Sequence, residues 1–292
     1  MMTDNPFLVS CDWLAGQLDN PDVSIVDASW YLPTMTMHGI PRDGRAEFDA
    51  QHIPGAVFFD IDEIVEPGSR LPHTLALPEE FAKKVGALGI SDRNTIVVYD
   101  GMGLFSAPRA WWNFRVMGAT KTVILDGGLP AWIKQRLPIE SGSAPIAPRQ
   151  FNASFDALAV TPLTTMKNIV EAGSVQVADA RPAGRFSGAE PEPRPGMRCG
   201  HMPGALSVPF SELVDNGRLR SADEIKILFV DAGIDLNSPI VTSCGSGVTA
   251  AALMLALETI GHKGHTLYDG SWAEWGSRED TEIVSGDSSI SA

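Results

Sequence analysis

The chain has 292 residues, 44% of them hydrophobic and 20% charged, with a formal net charge of −14 at pH 7. That length exceeds one average domain and predicts two, the apolar content excludes a disordered chain, and the acidic field disfavours nucleic acid or an anionic membrane as a partner. The longest apolar run, 248–257 with Thr249 inside it, falls well short of the roughly 18 residues a membrane span needs.

In chain order, the N-terminus MMTDNPFLVSCDW carries acidic residues and no basic region, so it does not read as a secretory signal, and the cytoplasm is the expected location. A first set of elements follows. VSIVDA (23–28), TIVVYD (95–100) and TVILDG (122–127) are short β-branched runs that predict buried strands. HIPGA (52–56) predicts a turn, and 78–88 has helical periodicity. The set ends with VILDGGLPAW at Trp132, and the first domain is placed at 5–137. Residues 138–162, rich in Pro, Ser and Ala without helical period, read as a linker.

A second set then repeats the first. VQVADA (175–180) matches VSIVDA, HMPGA (201–205) matches HIPGA, PIVTSCGSG (239–247) matches TIVVYDGMG, and TLYDGSWAEW, ending at Trp275, matches VILDGGLPAW. The spacing between matched elements drifts slowly, as loop insertions would cause, so one module has been used twice. The second domain is placed at 163–280, with 281–292 as a frayed acidic tail. Strands alternating with helical segments, such as 249–260, predict an α/β fold: in each half a parallel sheet flanked by helices. Ligands of such sheets bind beyond the carboxyl ends of the strands.

At that position in the second copy stands Cys244, followed by Gly245, Ser246, Gly247, Val248 and Thr249 and then an Ala/Leu-rich helix. Two glycines let the backbone curl so that successive amides point at the sulfur, and the helix start adds its positive dipole end. A thiolate is stabilised there. The bland alternative is a buried core cysteine. Asp100 holds the matching place in the first copy, so only the second half is expected to be catalytic. Cys11 and Cys199 lack such a loop and read as bystanders. Three cysteines at wide spacing argue against a disulfide framework or a zinc site of CxxC pairs, and Cys199-x-His201 lacks two further ligands.

Three chemistries suit the loop. A Cys-x5-Arg phosphatase cradle needs arginine where Ala250 stands. Gly245, Gly247 and Ala250 satisfy a GxGxxA dinucleotide fingerprint with Asp269 as a ribose acid, a weak match. Sulfur transfer through a persulfide anion requires no arginine inside the loop. A keto-acid substrate would need planar cationic donors, and Arg181, Arg185, Arg194 and Arg198 gather in one stretch opposed by Glu190 and Glu192. The alternative for these arginines is pairing with Glu190, Glu192 or Asp179. His52 and His201 share a turn in both copies and read as structural, while His38, His262 and His265 show no partner in the sequence. Trp111, Trp112, Trp132, Trp272 and Trp275 read as core.

Together the tandem copies, the HxPGA elements, the DGG/DGS-to-Trp ends and CGSGVTA resemble two-domain rhodanese-type sulfurtransferases over nearly the whole chain. CGSGVTA is similar to the 3-mercaptopyruvate branch, whereas the thiosulfate-preferring branch usually carries basic residues directly after the cysteine. The resemblance implies a Cys244 persulfide, a cradle of Gly245, Ser246, Gly247, Val248 and Thr249, and Arg185 (in GRF) and Arg194 (in EPEPR) gripping the substrate. It also implies a relay of Ser246, His73 and Asp62. No metal or organic cofactor is expected. The implied acceptor is a thioredoxin-like protein, a low-molecular-weight thiol or cyanide, and a monomer is the default. The competing readings are a thiosulfate:cyanide sulfurtransferase, a non-catalytic thiol-based binding or redox-sensing module, and a dinucleotide-binding dehydrogenase.

Overall fold

The computed structural model describes residues 5–142 and 145–286, and the chain divides into two units. The first holds five parallel strands: β1 (Leu8–Val9), β2 (Val23–Asp27), β3 (Val57–Phe58), β4 (Thr95–Tyr99) and β5 (Thr122–Leu125), in spatial order β1-β5-β4-β2-β3. The second holds β6 (Val160–Thr161), β7 (Gln176–Asp179), β8 (Ala205–Ser207), β9 (Ile240–Ser243) and β10 (His265–Tyr268), in order β6-β10-β9-β7-β8. The two orders are the same permutation, so the sequence repeat is a repeat of topology.

The strands predicted from β-branched runs lie at the centre of each sheet. All of β9 is buried, which is why Ile240–Ser243 shows no polar alternation. Its neighbour on one side is β7, in a register that pairs Ser243 with Asp179. That register brings the residues after both strands, Cys244 and Ala180–Arg181, to one end of the sheet. The helix Ala250–Thr259 is buried all round from Ala250 to Leu257. Its four alanines keep that helix thin enough to be enclosed, and its hydrophobicity reflects a core helix, not a membrane span. Among the described residues no helix is long and apolar enough to cross a membrane.

The core of the first unit gathers Leu14, Ile25, Val97, Tyr99, Leu125 and Trp132; that of the second gathers Met166, Val177, Phe186, Val241, Trp272 and Trp275. Trp111 and Trp112 are also buried, so all five tryptophans expected in the core are there. The two matching histidines do the same work in each unit. His52 stacks on Phe48 with ring centroids 4.0 Å apart, and its Nδ1 lies 2.7 Å from the Phe48 carbonyl; His201 stacks on Phe186 at 3.8 Å, with Nδ1 2.9 Å from the Phe186 carbonyl. Burial pushes the His201 imidazole below its ordinary value, consistent with a neutral packing group.

Four sequence expectations are revised here. The linker is not a free span: Arg149 N–H bonds to the Gly86 carbonyl at 2.9 Å, Phe151 is buried, and Ser154 N–H bonds to Met117, all within the first unit. Its last residues, Val160–Thr161, form the edge strand β6 of the second sheet. The tail is pinned as far as Gly286, since Thr281 is buried, Val284 pairs with His201, and Gly286 N–H bonds to Ser187; residues 287–292 lie outside the described part, as do 1–4 of the N-terminal segment. Finally, His262 and His265 face each other, their Nδ1 atoms 3.3 Å apart, and His265 Nε2 is 3.6 Å from Glu258.

Candidate active site

Cys244 directly follows β9 and is buried, 2% exposed. The loop that follows turns through Gly247 at φ +80°, a conformation glycine adopts without cost, and enters the helix at Ala250. The loop after β10 holds it from below. Trp272 N–H bonds to the Cys244 carbonyl at 2.9 Å, and Ala273 N–H to the Gly245 carbonyl at 2.8 Å. Ser271 accepts from the Cys244 N–H at 3.2 Å while donating to the Tyr268 carbonyl at 2.9 Å.

Ser271 is fully buried at φ +49°, a left-handed position that costs a non-glycine residue on the order of 1 kcal/mol. Its counterpart in the first unit is Gly128, at φ +53°. The serine is therefore a strained exchange for glycine whose hydroxyl clamps the backbone of Cys244. The sequence signal for it is the change from DGG to DGS between the copies.

The first unit shows what this type of loop binds. There the side chain at the strand end is the Asp100 carboxylate. One oxygen accepts from the N–H groups of Met102 (2.8 Å) and Gly103 (2.7 Å), the other from Phe105 (2.7 Å), Ser106 (2.9 Å) and Ala107 (2.8 Å). Five amides converge on one anion, so the strand-loop-helix turn of this module is an anion cradle. In the second unit the matching side chain is the shorter thiol of Cys244, followed by the loop Gly245–Thr249.

Around that loop the second unit gathers the other predicted residues. Arg185, in the short helix Ala183–Ser187, reaches across Gly245, and Arg194 Nη2 donates to Ser246 Oγ at 3.3 Å. His73, although far away in sequence, belongs to the segment Arg70–Thr74 of this unit, and its Nδ1 lies 2.9 Å from Ser246 Oγ. It is buried and held at φ +59°, so its placement is enforced by its surroundings. Asp62 lies in the first unit, where its carboxylate accepts from Trp30 Nε1 at 2.9 Å. Thus Cys244, Gly245, Ser246, Arg185, Arg194 and His73 share one unit, while Asp62 belongs to the other.

The pairing alternative is realised for Arg181 and, through Glu192, for Arg185, whereas Arg198 is held by backbone carbonyls instead. Arg181 is 1% exposed and bonded to Asp179 through Nε (3.0 and 3.1 Å) and Nη2 (2.7 Å), to Glu192 (2.7 Å) and to the Gly200 carbonyl (2.9 Å). Its guanidinium also stacks 4.2 Å from the Trp272 ring. Arg198 donates to the carbonyls of Gly276 (3.2 Å), Thr281 (3.0 Å) and Trp275 (3.3 Å), fastening the C-terminal segment. At the same strand end in the first unit, Ser29 stands where Arg181 stands in the second, and without an arginine the buried Asp27 is pushed up to about 6, chiefly by desolvation.

The remaining cysteines stay apart from this chemistry. Cys11 is buried in the first unit, and burial pushes its thiol up, which keeps it protonated and inert. Cys199 is exposed. Among the described residues no group of His, Cys, Asp or Glu has a metal-holding arrangement.

A Cβ built on Gly245 would approach Arg185 Nη2 to 3.0 Å and Arg194 Nη1 to 3.9 Å. Glycine after the cysteine thus makes room for arginine over the loop, and a basic residue there would displace Arg185. Gly245→Ala is expected to raise KM for an anionic sulfur donor on the order of tenfold while leaving thermal stability within about 1 kcal/mol. Steady-state kinetics alongside thermal unfolding checks both.

A Rhodanese-like domain model matches the chain twice, at residues 10–135 and 163–278. The chain belongs to the rhodanese family. It is 44% identical to the 3-mercaptopyruvate sulfurtransferase of Escherichia coli K12 over 277 residues, covering 95% of this chain and 97% of the relative. The thiosulfate sulfurtransferase of Gallus gallus is 40% identical over 278 residues, covering 92% of each. The crystal structure of the 3-mercaptopyruvate sulfotransferase SseA from Escherichia coli superposes with a TM-score of 0.83 at 42% identity, covering 91% of this chain and 98% of that one. Overall identity separates the two activities by only four percentage points, so the choice of donor must be read from the loop.

Proposed function

We propose that this rhodanese-family chain is a 3-mercaptopyruvate sulfurtransferase that carries the sulfur on Cys244. The observation that carries the reading is the convergence of Arg185 and Arg194 on the uncharged Gly245–Ser246 step directly after the cysteine. A planar guanidinium pair suits a carboxylate beside a carbonyl, and the loop supplies no side-chain cation of its own.

The Cys244 thiolate attacks the sulfur of 3-mercaptopyruvate. An S–S bond forms, the C–S bond breaks, and its electron pair passes to the three-carbon fragment as the enolate of pyruvate, which takes up a proton at carbon. Ser246 stands between Arg194 and His73 and hands on that proton. The persulfide rests on the loop amides, in the place the Asp100 carboxylate occupies in the first unit, until an acceptor removes the outer sulfur. A thioredoxin-like protein, a small thiol or cyanide fills that role. A reducing compartment such as the cytoplasm suits a chain with three free thiols, and it acts as a monomer.

Brief incubation with 3-mercaptopyruvate is expected to add one sulfur atom to the Cys244 peptide, seen by intact mass and peptide mapping, with one equivalent of pyruvate released. Loading by thiosulfate at an equal or greater rate would move the chain to the thiosulfate branch. No sulfur from either donor on reduced, folded protein would leave a binding or redox-sensing role.

A further inference from the structure

The arginine over the loop does not stand alone. Glu192 precedes Pro193, whose ring disfavours a helical backbone at the residue before it, and its side chain is only 2% exposed. One oxygen accepts from Arg181 Nη1 at 2.7 Å; the other accepts from Arg185 Nε at 3.2 Å and from Arg185 Nη2. Arg181 is itself locked by Asp179. Asp179, Arg181, Glu192 and Arg185 therefore form an alternating chain of charges that ends over Gly245.

Two consequences follow. Glu192 grips the Nε/Nη2 edge of Arg185, which fixes the plane of the guanidinium and sets the direction in which its other donors face. It also removes charge, because the guanidiniums of Arg181 and Arg185 face the carboxylates of Asp179 and Glu192. We infer that Glu192 is a positioning and specificity-determining residue: it orients Arg185 for a planar monocarboxylate and keeps the site too weakly cationic to favour a dianionic donor. This deepens the sulfurtransferase reading and rests on it.

The test compares Glu192→Gln with the native chain on both donors. Glutamine keeps the shape and one acceptor oxygen but adds one unit of positive charge. The expected result is a KM for 3-mercaptopyruvate raised on the order of tenfold with kcat little changed, and a kcat/KM for thiosulfate that holds or rises. The ratio of the two donors thus moves at least about tenfold toward thiosulfate. Glu190→Gln, at an exposed neighbour, leaves the ratio unchanged. An equal fall on both donors, or no change in either, overturns the inference. If the native chain releases no pyruvate from 3-mercaptopyruvate, the parent reading fails instead, whatever Glu192 does.

Should Glu192→Gln not be recovered folded, protection of Cys244 from alkylation in the native chain tests the same charge argument. Monoanionic pyruvate is expected to protect at a concentration on the order of tenfold lower than dianionic ketomalonate. Equal or better protection by the dianion overturns the inference.

Discussion

Cys244→Ser is expected to abolish sulfur transfer while leaving the fold intact. The substitution exchanges one buried atom for a slightly smaller one, and the contacts that hold the loop are made by backbone: the Cys244 carbonyl accepts from Trp272 and its N–H donates to Ser271. Stability should therefore change by no more than about 1 kcal/mol. Chemistry should not survive, because a serine hydroxyl is neither ionised near neutral pH nor able to hold a transferable sulfur. Turnover with 3-mercaptopyruvate should fall by at least about a thousandfold. Pyruvate release and intact mass, read beside the unfolding temperature, check it. Residual turnover within tenfold of the native rate would mean that sulfur leaves the donor by a route that does not use this thiol.

The matching substitution in the first unit is expected to do the reverse, removing stability and not chemistry. Asp100 is buried, 1% exposed, and its two oxygens accept five backbone N–H bonds. Asp100→Asn keeps the size of the side chain but supplies only one acceptor oxygen. If that oxygen faces Met102 and Gly103, the new amide faces the three N–H groups of Phe105, Ser106 and Ala107, donor against donor. Leaving buried donors unsatisfied costs about 1–3 kcal/mol each, and breaking a buried charge interaction 3–5 kcal/mol. A loss of about 3–5 kcal/mol is expected, seen as a lower denaturant midpoint with an unchanged slope. A loss under about 1 kcal/mol would show that these five contacts do not hold the loop. The paired outcomes test one idea: a single turn serves in one unit as a socket filled by a carboxylate and in the other as a cradle for a reactive sulfur.

Much of this was legible in the sequence because it depends on local rules. Chain order fixed the repeat, β-branched runs marked the strands, and alternation of strands with helical segments required parallel pairing. Two glycines between a strand and a helix marked the loop after Cys244, since backbone curvature follows from residues adjacent in the chain. The same local signal distinguished the copy with Asp100. Where local composition was the only guide, the reading went astray: a Pro/Ser/Ala-rich stretch looked like a free linker, and an acidic end looked frayed. Both are held by backbone hydrogen bonds to residues far away in sequence, as in Arg149 to Gly86 and Val284 to His201.

Tertiary structure alone decided which charged groups reach the loop after Cys244. All four arginines between residues 181 and 198 look alike in sequence, but burial against Asp179 and Glu192 commits Arg181 to structure, and backbone carbonyls capture Arg198. The register of β7 against β9 brings the Arg185 and Arg194 stretch to the loop, and the segment carrying His73 folds onto the second unit to meet Ser246. The reason is physical. A reactive loop is encoded by the conformational freedom of a few consecutive residues, whereas selection among equivalent charges is made by desolvation and pairing, which depend on what the whole fold places around each one.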